Sequence, residues 1–132
     1  MDPKEIDFGS LEWERTPYKG VFLSYIDKAV DPTSSRSTLS ANVVKIDPDC
    51  EIGLHYHDRE EDWTEFVVFF PSGPFEAFSG NRQRSFSGSM PVYMRVGSRE
   101  AYRIKNKDPH KPLFLISIMK PGFSGYEEIK DC

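Results

Sequence analysis

Two histidines placed two positions apart give this sequence its clearest chemical signal. His55 and His57 lie in the stretch GLHYHDREEDWTEFVVFF, residues 53–70. Side chains alternate along a strand, so both imidazoles would face the same way. Neutral imidazole binds Zn, Fe, Ni, Cu and Mn, and Glu65 at the head of the next apolar run is the best-placed third ligand. The pattern predicts a divalent metal site or, as the plainer alternative, a pair of partly buried histidines that Glu65 satisfies.

The elements that must position these residues are short apolar runs, which predict strands. Each run alternates or is rich in β-branched and aromatic residues, and turn residues separate the runs, as in an all-β sandwich or barrel. No segment shows sustained helical periodicity, and the best helical candidate, DREEDW at 58–63, is too short to matter alone. The predicted strands are 20–27, 38–46, 53–57, 65–70, 75–80, 89–96, 101–106 and 113–119.

Pro, Gly, Asn and Asp supply the turns between these strands. The stretch NRQR, at 81–84, is interpreted as a solvated loop. The predicted turns are DPTSS at 31–35, DPD at 47–49, PSGP at 71–74, SGN at 79–81 and KDPHKP at 107–112.

The length, net charge and cysteine content of the chain limit the classes of function. The chain has 132 residues, enough for a single domain, with an N-terminal arm over about residues 1–12 and a C-terminal tail over about 122–132. A net charge of −4 gives no basic face for nucleic acid. No apolar stretch is as long as a membrane-spanning helix, which needs about 18 residues, and no secretory leader is visible. Cys50 and Cys132 are expected to be reduced thiols, which indicates a cytoplasmic protein.

The stretch around the two histidines resembles the first motif of the cupin superfamily, G-x5-H-x-H-x3/4-E-x6-G. Asp49 stands where the glycine would be, and Asp tolerates a left-handed turn. The motif's glutamate has two candidates. Glu61 satisfies the short spacing, whereas Glu65 lies eight residues before Gly73, close to the family's spacing. Glu65 is preferred because it belongs to the strand EFVVFF, while Glu61 falls in the loop.

The second cupin motif, G-x5-P-x-G-x2-H-x3-N, is similar to GSMPVYMRVGSREAYRIKN at 88–106, but the histidine is missing. Counting from the motif's second glycine places Glu100 at the histidine position. Counting back from Asn106 places Tyr102 there. The two residues are two apart, so they would share one face of a strand.

The resemblance implies a single cupin-type barrel, the double-stranded β-helix or jelly roll, over nearly the whole chain. It also implies a divalent metal, Zn, Fe, Mn or Ni, held by His55, His57 and Glu65, with Glu100 or Tyr102 as the fourth group. Some cupins lack metal. In that case His57 is expected to act as a base and Tyr102 as an acid.

Three further residues are candidates for contact with a substrate. An inward Arg95 would bind a carboxylate or phosphate in a bidentate manner, although an outward arginine is the more common arrangement. Trp63 and Phe69 could wall a pocket for an apolar substrate, although core or rim packing explains them equally well.

Three classes of function remain open, and the sequence does not decide whether the protein is an enzyme. The first is a metal-dependent oxygenase, isomerase or lyase acting on a small organic substrate. The second is a metal-free isomerase or dehydratase that uses His and Tyr. The third is a ligand-binding or sensing module without chemistry. All three have a small molecule as partner, and the resemblance also implies a homodimer.

Overall fold

The computed structural model describes residues 2–27 and 35–132, which consist mainly of β-strands. Short 3-10 helices occupy Phe8–Ser10 and Tyr126–Glu128. The strands are β1 (Glu14–Arg15), β2 (Val21–Tyr25), β3 (Ser40–Ile46), β4 (Glu51–His57), β5 (Thr64–Phe70), β6 (Phe75–Ser79), β7 (Arg82–Phe86), β8 (Val92–Gly97), β9 (Tyr102–Asn106), β10 (Leu113–Lys120) and β11 (Ile129–Asp131).

The strands form two antiparallel sheets. One has six strands in the order β1-β2-β3-β10-β5-β8, and the other has five in the order β11-β4-β9-β6-β7. Alternate residues of the central strands point inward, so the two inner faces share one apolar core. The all-β prediction is confirmed, and each of the eight predicted strands matches a strand of the structure to within three residues at either end.

Three strands were not predicted. β7 contains most of NRQR, so the interpretation of that stretch as a loop is wrong. Its side chains are mostly exposed because β7 is an edge strand that pairs only with β6, and exposure on an edge gives no apolar pattern to read. β1 has two residues and β11 has three, and both are too short to show an alternating apolar pattern.

The predicted turns agree with the backbone where the structure describes them. Asp49 has a φ of 58°, so it adopts the left-handed conformation that the cupin-like motif requires of its glycine. The connection 58–63 is a loop with a turn rather than a helix. The turn predicted at 31–35 lies outside the described residues except for its last position.

Both chain ends pack against the barrel. Phe8 and Trp13 contact Phe114 on the outer face of β10, with ring centroids 5.0 and 6.1 Å apart, so the N-terminal arm covers its own sheet. The expected C-terminal tail instead supplies β11, which pairs with β4. Cys50 and Cys132 are free thiols. Within the described ranges, no helix has the length and apolar character needed to cross a bilayer.

Candidate functional site

A cavity of about 60 Å³ lies between the two sheets. This volume holds several water molecules or the reactive end of a small organic molecule. Most of its lining is apolar, and no Lys or Arg of the described chain lines it. The lining residues are Thr16, Tyr18, Val21, Leu23, Asn42, Val44, Ile52, His55, His57, Glu65, Val67, Tyr102, Ile104, Leu115, Ser117, Met119, Phe123, Tyr126 and Ile129.

Strand alternation brings four polar groups from both sheets into this cavity. His55 and His57 face inward from β4, and Tyr102 lies directly across from His55 on β9. Glu65 faces them from β5 in the other sheet. All four side chains belong to residues at most 3% exposed. Glu61, the alternative carboxylate, is exposed in the loop.

A chain of hydrogen bonds links three of these groups, His57, Tyr102 and Glu65, to two residues that the sequence did not indicate. Nδ1 of His57 lies 2.5 Å from a carboxylate oxygen of Glu128, and Nε2 lies 3.1 Å from the Tyr102 hydroxyl. That hydroxyl donates to Glu65 at 2.6 Å, and the Ser117 hydroxyl donates to the other oxygen of Glu65 at 2.5 Å. The chain of groups therefore runs across the barrel from one sheet to the other.

The direction of each hydrogen bond fixes where the protons lie. Burial, together with the charge of Glu65, raises the pKa of Tyr102 well above its usual value, so the phenol keeps its single proton and donates it to Glu65. Burial alone would raise the pKa of Glu128, but hydrogen bonds from His57 and Ser124 hold it below the usual value, so Glu128 is a carboxylate. Nδ1 of His57 faces this carboxylate, which has only acceptors, and so acts as the donor in that contact.

Glu128 is held by donors on every side. Its second oxygen accepts from Nη1 of Arg59 at 2.9 Å and from the backbone and hydroxyl of Ser124, both at 2.8 Å. Behind His57, the Trp63 ring stacks on the imidazole with centroids 4.6 Å apart. These contacts fix the orientation of the imidazole on its buried side.

His55 has a different role from His57. Its Nδ1 donates to the Gly53 carbonyl at 2.7 Å. Burial, assisted by the nearby His57, lowers the pKa of His55 below 6.5 and keeps the ring neutral, despite the opposing effect of the Gly53 hydrogen bond. His55 therefore offers a neutral ring to the cavity.

The neutral state of His55 makes the stability of the protein sensitive to mild acid. A buried histidine with a lowered pKa stabilises the fold fully above 6.5, and this stabilisation is lost as the pH falls from there toward the folded-state pKa. We expect wild type to lose about 1 kcal/mol more than His55→Asn between pH 7 and 5.5, because Asn does not titrate. Asn was chosen since its NH2 group retains a donor for the Gly53 carbonyl. Urea unfolding at the two pH values measures this difference. His110→Gln, at an exposed histidine, should behave as wild type, and equal losses in His55→Asn and wild type would contradict the prediction.

The residues do not form a metal-binding group as they are folded. In the described part of the chain, no three His, Cys, Asp or Glu side chains are arranged to hold an ion. Both nitrogens of His57 and both carboxylate oxygens of Glu65 are already engaged within the protein. Tyr102, which pairs with His55, keeps its proton and so makes a poor ligand. The divalent metal stays a prediction of the resemblance.

The remaining predicted site residues lie outside the cavity. Glu100 accepts from Ser79 and from the Gly97 backbone, so it stabilises the β8–β9 turn instead of facing the histidines. Arg95 is exposed because its position on β8 points outward, next to the fully buried Val96.

Two predicted aromatic contacts also belong to the core. Phe69 is fully buried and stacks on Phe75, with ring centroids 4.9 Å apart. Trp63 is 1% exposed, stacks on the His57 ring and is absent from the cavity lining. Neither residue lines the space that a ligand would occupy.

Comparisons with known proteins identify the fold. No family model matches the sequence, and no curated protein matches it. Among solved structures, an RmlC-like cupin from Shewanella frigidimarina superposes with a TM-score of 0.63 and 13% identity over 93% of this chain and 95% of that one. The polyketide cyclase RemF from Streptomyces resistomycificus gives 0.65 and 10%, over 98% and 85%. A cupin-superfamily sugar phosphate isomerase from Silicibacter pomeroyi gives 0.61 and 16%, over 89% and 75%.

The chain therefore has the barrel fold of the cupin superfamily, as the two sequence motifs predicted. At these identities the likeness shows the fold alone, and the chemistry must be argued from the cavity.

Proposed function

We propose that the protein is a metal-free enzyme that binds a small, neutral, largely apolar carbonyl compound in its barrel and isomerises or dehydrates it by proton transfer. The observation that carries this proposal is the hydrogen-bond chain Glu128–His57–Tyr102–Glu65, which places a proton donor and a carboxylate side by side in an apolar cavity. Two structures with the same fold carry the names of a cyclase and an isomerase, which supports an enzymatic role.

The charges around the cavity support a neutral ligand. Glu65 and Glu128 are both acidic, and the described lining contains no arginine or lysine to balance an anionic ligand. Because Arg95 points outward, the phosphate or carboxylate contact predicted for it is not available. The apolar lining favours hydrocarbon surface on the rest of the ligand.

Each group then has a defined role. Tyr102 donates its proton to the ligand's carbonyl oxygen, and the Nε2–H group of His57 replaces it. The carboxylate of Glu65 accepts the proton from the neighbouring carbon. The C–H bond breaks, its electron pair forms the C=C bond of an enol, and an O–H bond forms. When a C=C bond is conjugated with this enol, Glu65 delivers its proton to the far end of the conjugated system while the enol O–H returns its proton through Tyr102 to His57, which completes an isomerisation. When a hydroxyl group stands β to the carbonyl, the enol O–H returns its proton in the same way and the hydroxyl leaves as water with the proton of Glu65, which completes a dehydration. His57 thus acts as a proton source rather than as the base expected from the sequence.

Deuterium exchange tests this proposal with cyclopentanone as the probe. In D2O, the protein should accelerate exchange of the α-protons by about 100-fold or more over buffer, measured by loss of the proton NMR signal. Dialysis against a chelator should leave the rate unchanged. Loss of exchange on chelation, with recovery on adding Zn, Fe, Mn or Ni, would favour the metal-dependent alternative. No exchange in any preparation would contradict the enzymatic proposal and favour a ligand-binding module.

Homodimer formation and cytoplasmic location remain predictions of the sequence. The N-terminal arm packs on its own β10 through Phe8 and Trp13.

A further inference from the structure

A buried side-chain amide in the cavity has an NH2 group without a hydrogen-bond acceptor. Asn42 is 1% exposed and lines the cavity from β3. Its Nδ2 group has no hydrogen-bond partner among the described residues. A buried donor without an acceptor is unfavourable, so such a group calls for an explanation.

The orientation of this amide is not arbitrary. Nη2 of Arg36 donates to Oδ1 of Asn42 at 2.8 Å, and a guanidinium has no acceptor, so the atom facing it must be the oxygen. Arg36 is itself held in place by an ion pair with Asp27, and its guanidinium lies 4.2 Å from the centre of the Tyr25 ring. The Nδ2 group is therefore fixed as the free end of the amide.

The neighbours of Asn42 connect it to the proton-transfer groups. Asn42 pairs with Ser117 on β10, and the Ser117 hydroxyl donates to Glu65. The free amide and the carboxylate thus project from the same inner face of the six-stranded sheet, separated by one strand. One small ligand could contact both groups.

We infer that Asn42 is a ligand-binding residue whose Nδ2 group donates a hydrogen bond to the carbonyl oxygen of a neutral ligand, with Arg36 as the positioning residue for the amide. This inference rests on the proposed function because it takes the ligand to be a carbonyl compound in the same cavity. It adds a second donor, besides Tyr102, that selects for a carbonyl oxygen. A ligand of the same shape without that oxygen would leave the Nδ2 group unpartnered.

Paired probes separate this contact from simple apolar binding. Cyclopentanone and methylenecyclopentane have nearly the same shape, but the second carries a CH2 group in place of the oxygen. We expect wild type to bind cyclopentanone about ten-fold more tightly, which corresponds to about 1.4 kcal/mol. Asn42→Leu should remove this preference and leave the affinity for methylenecyclopentane within two-fold. NMR titration measures both affinities and should shift the Asn42 side-chain amide signals with cyclopentanone only.

Further variants guard against a folding defect. Asn42→Asp keeps an oxygen for Arg36 but loses the donor, so it should bind cyclopentanone as weakly as Asn42→Leu does. Arg36→Leu should weaken cyclopentanone binding about three-fold or more, without changing that of methylenecyclopentane. Asn81→Leu, at an exposed position, is the matched control and should behave as wild type.

The outcomes distinguish this inference from the proposed function. Equal binding of the two probes by wild type, or an unchanged preference in Asn42→Leu, overturns the role of Asn42 even if α-proton exchange is observed. Asn42-dependent binding without exchange supports the inference and overturns the proposed chemistry. Failure of both probes to bind overturns both.

Discussion

Replacing Glu128 by glutamine is expected to lower the free energy of unfolding by about 3–5 kcal/mol at neutral pH. The carboxylate is buried, and every contact around it is a donor: His57, Arg59, and the backbone and hydroxyl of Ser124. The NH2 group of glutamine would have to face one of these donors. The substitution also leaves the Arg59 guanidinium without this carboxylate partner.

The effect of Glu128→Gln should depend on pH in a defined direction. The folded-state pKa of Glu128 lies below its usual 4.5, so its stabilisation is present above that pH and is lost as the pH falls through the folded value. The unfolding free energies of wild type and variant should therefore converge in acid. Urea unfolding at pH 7 and below pH 4 measures both effects. Glu127→Gln makes the same change at the adjacent exposed residue and should cost little, whereas equal losses in the two variants would contradict the assigned role.

Replacing Tyr102 by phenylalanine is expected to reduce the α-proton exchange of cyclopentanone by about 10²–10⁴-fold. The ring keeps its packing against His55, at 4.2 Å between centroids, while the hydroxyl that links His57 to Glu65 is lost. Nε2 of His57 and the Glu65 oxygen are already 3.8 Å apart, so the rest of the site can remain in place. The change therefore removes the proton donor and keeps the cavity.

The rate measurement needs a control for general effects of removing a hydroxyl. Tyr56→Phe makes the same change on β4, between the two histidines but on the opposite face of the strand, and should exchange at the wild-type rate. Affinity for cyclopentanone should fall much less than the rate in Tyr102→Phe. A variant with undiminished exchange would show that Tyr102 is not the proton donor.

Much of the barrel follows from local sequence because alternation and turn chemistry are local properties. The x-H-x-H pattern placed both histidines on one face, and Asp49 adopts the left-handed turn that the motif needs. The choice between Glu61 and Glu65 also follows from pattern, since only Glu65 lies in an apolar strand. These are features that a few neighbouring residues determine.

The rest of the site depends on which strands become neighbours, which a single sequence does not reveal. Glu128 reaches His57 because β11 pairs with β4, and nothing in the residues of β11 indicates that pairing. Asn42 and Ser117 read as ordinary strand residues until β3 and β10 lie side by side. Counting positions from the second glycine of the motif placed Glu100 at the histidine position, but its carboxylate instead accepts a hydrogen bond within the β8–β9 turn.

The position of β10 also determines how the chain can fold. It lies between β3 and β5 in the six-stranded sheet, so that sheet is completed only when a late segment inserts between two much earlier ones. Contacts between segments so far apart in the chain carry a large loop-closure cost, and domains dominated by them fold slowly. We therefore expect folding in milliseconds to seconds rather than microseconds.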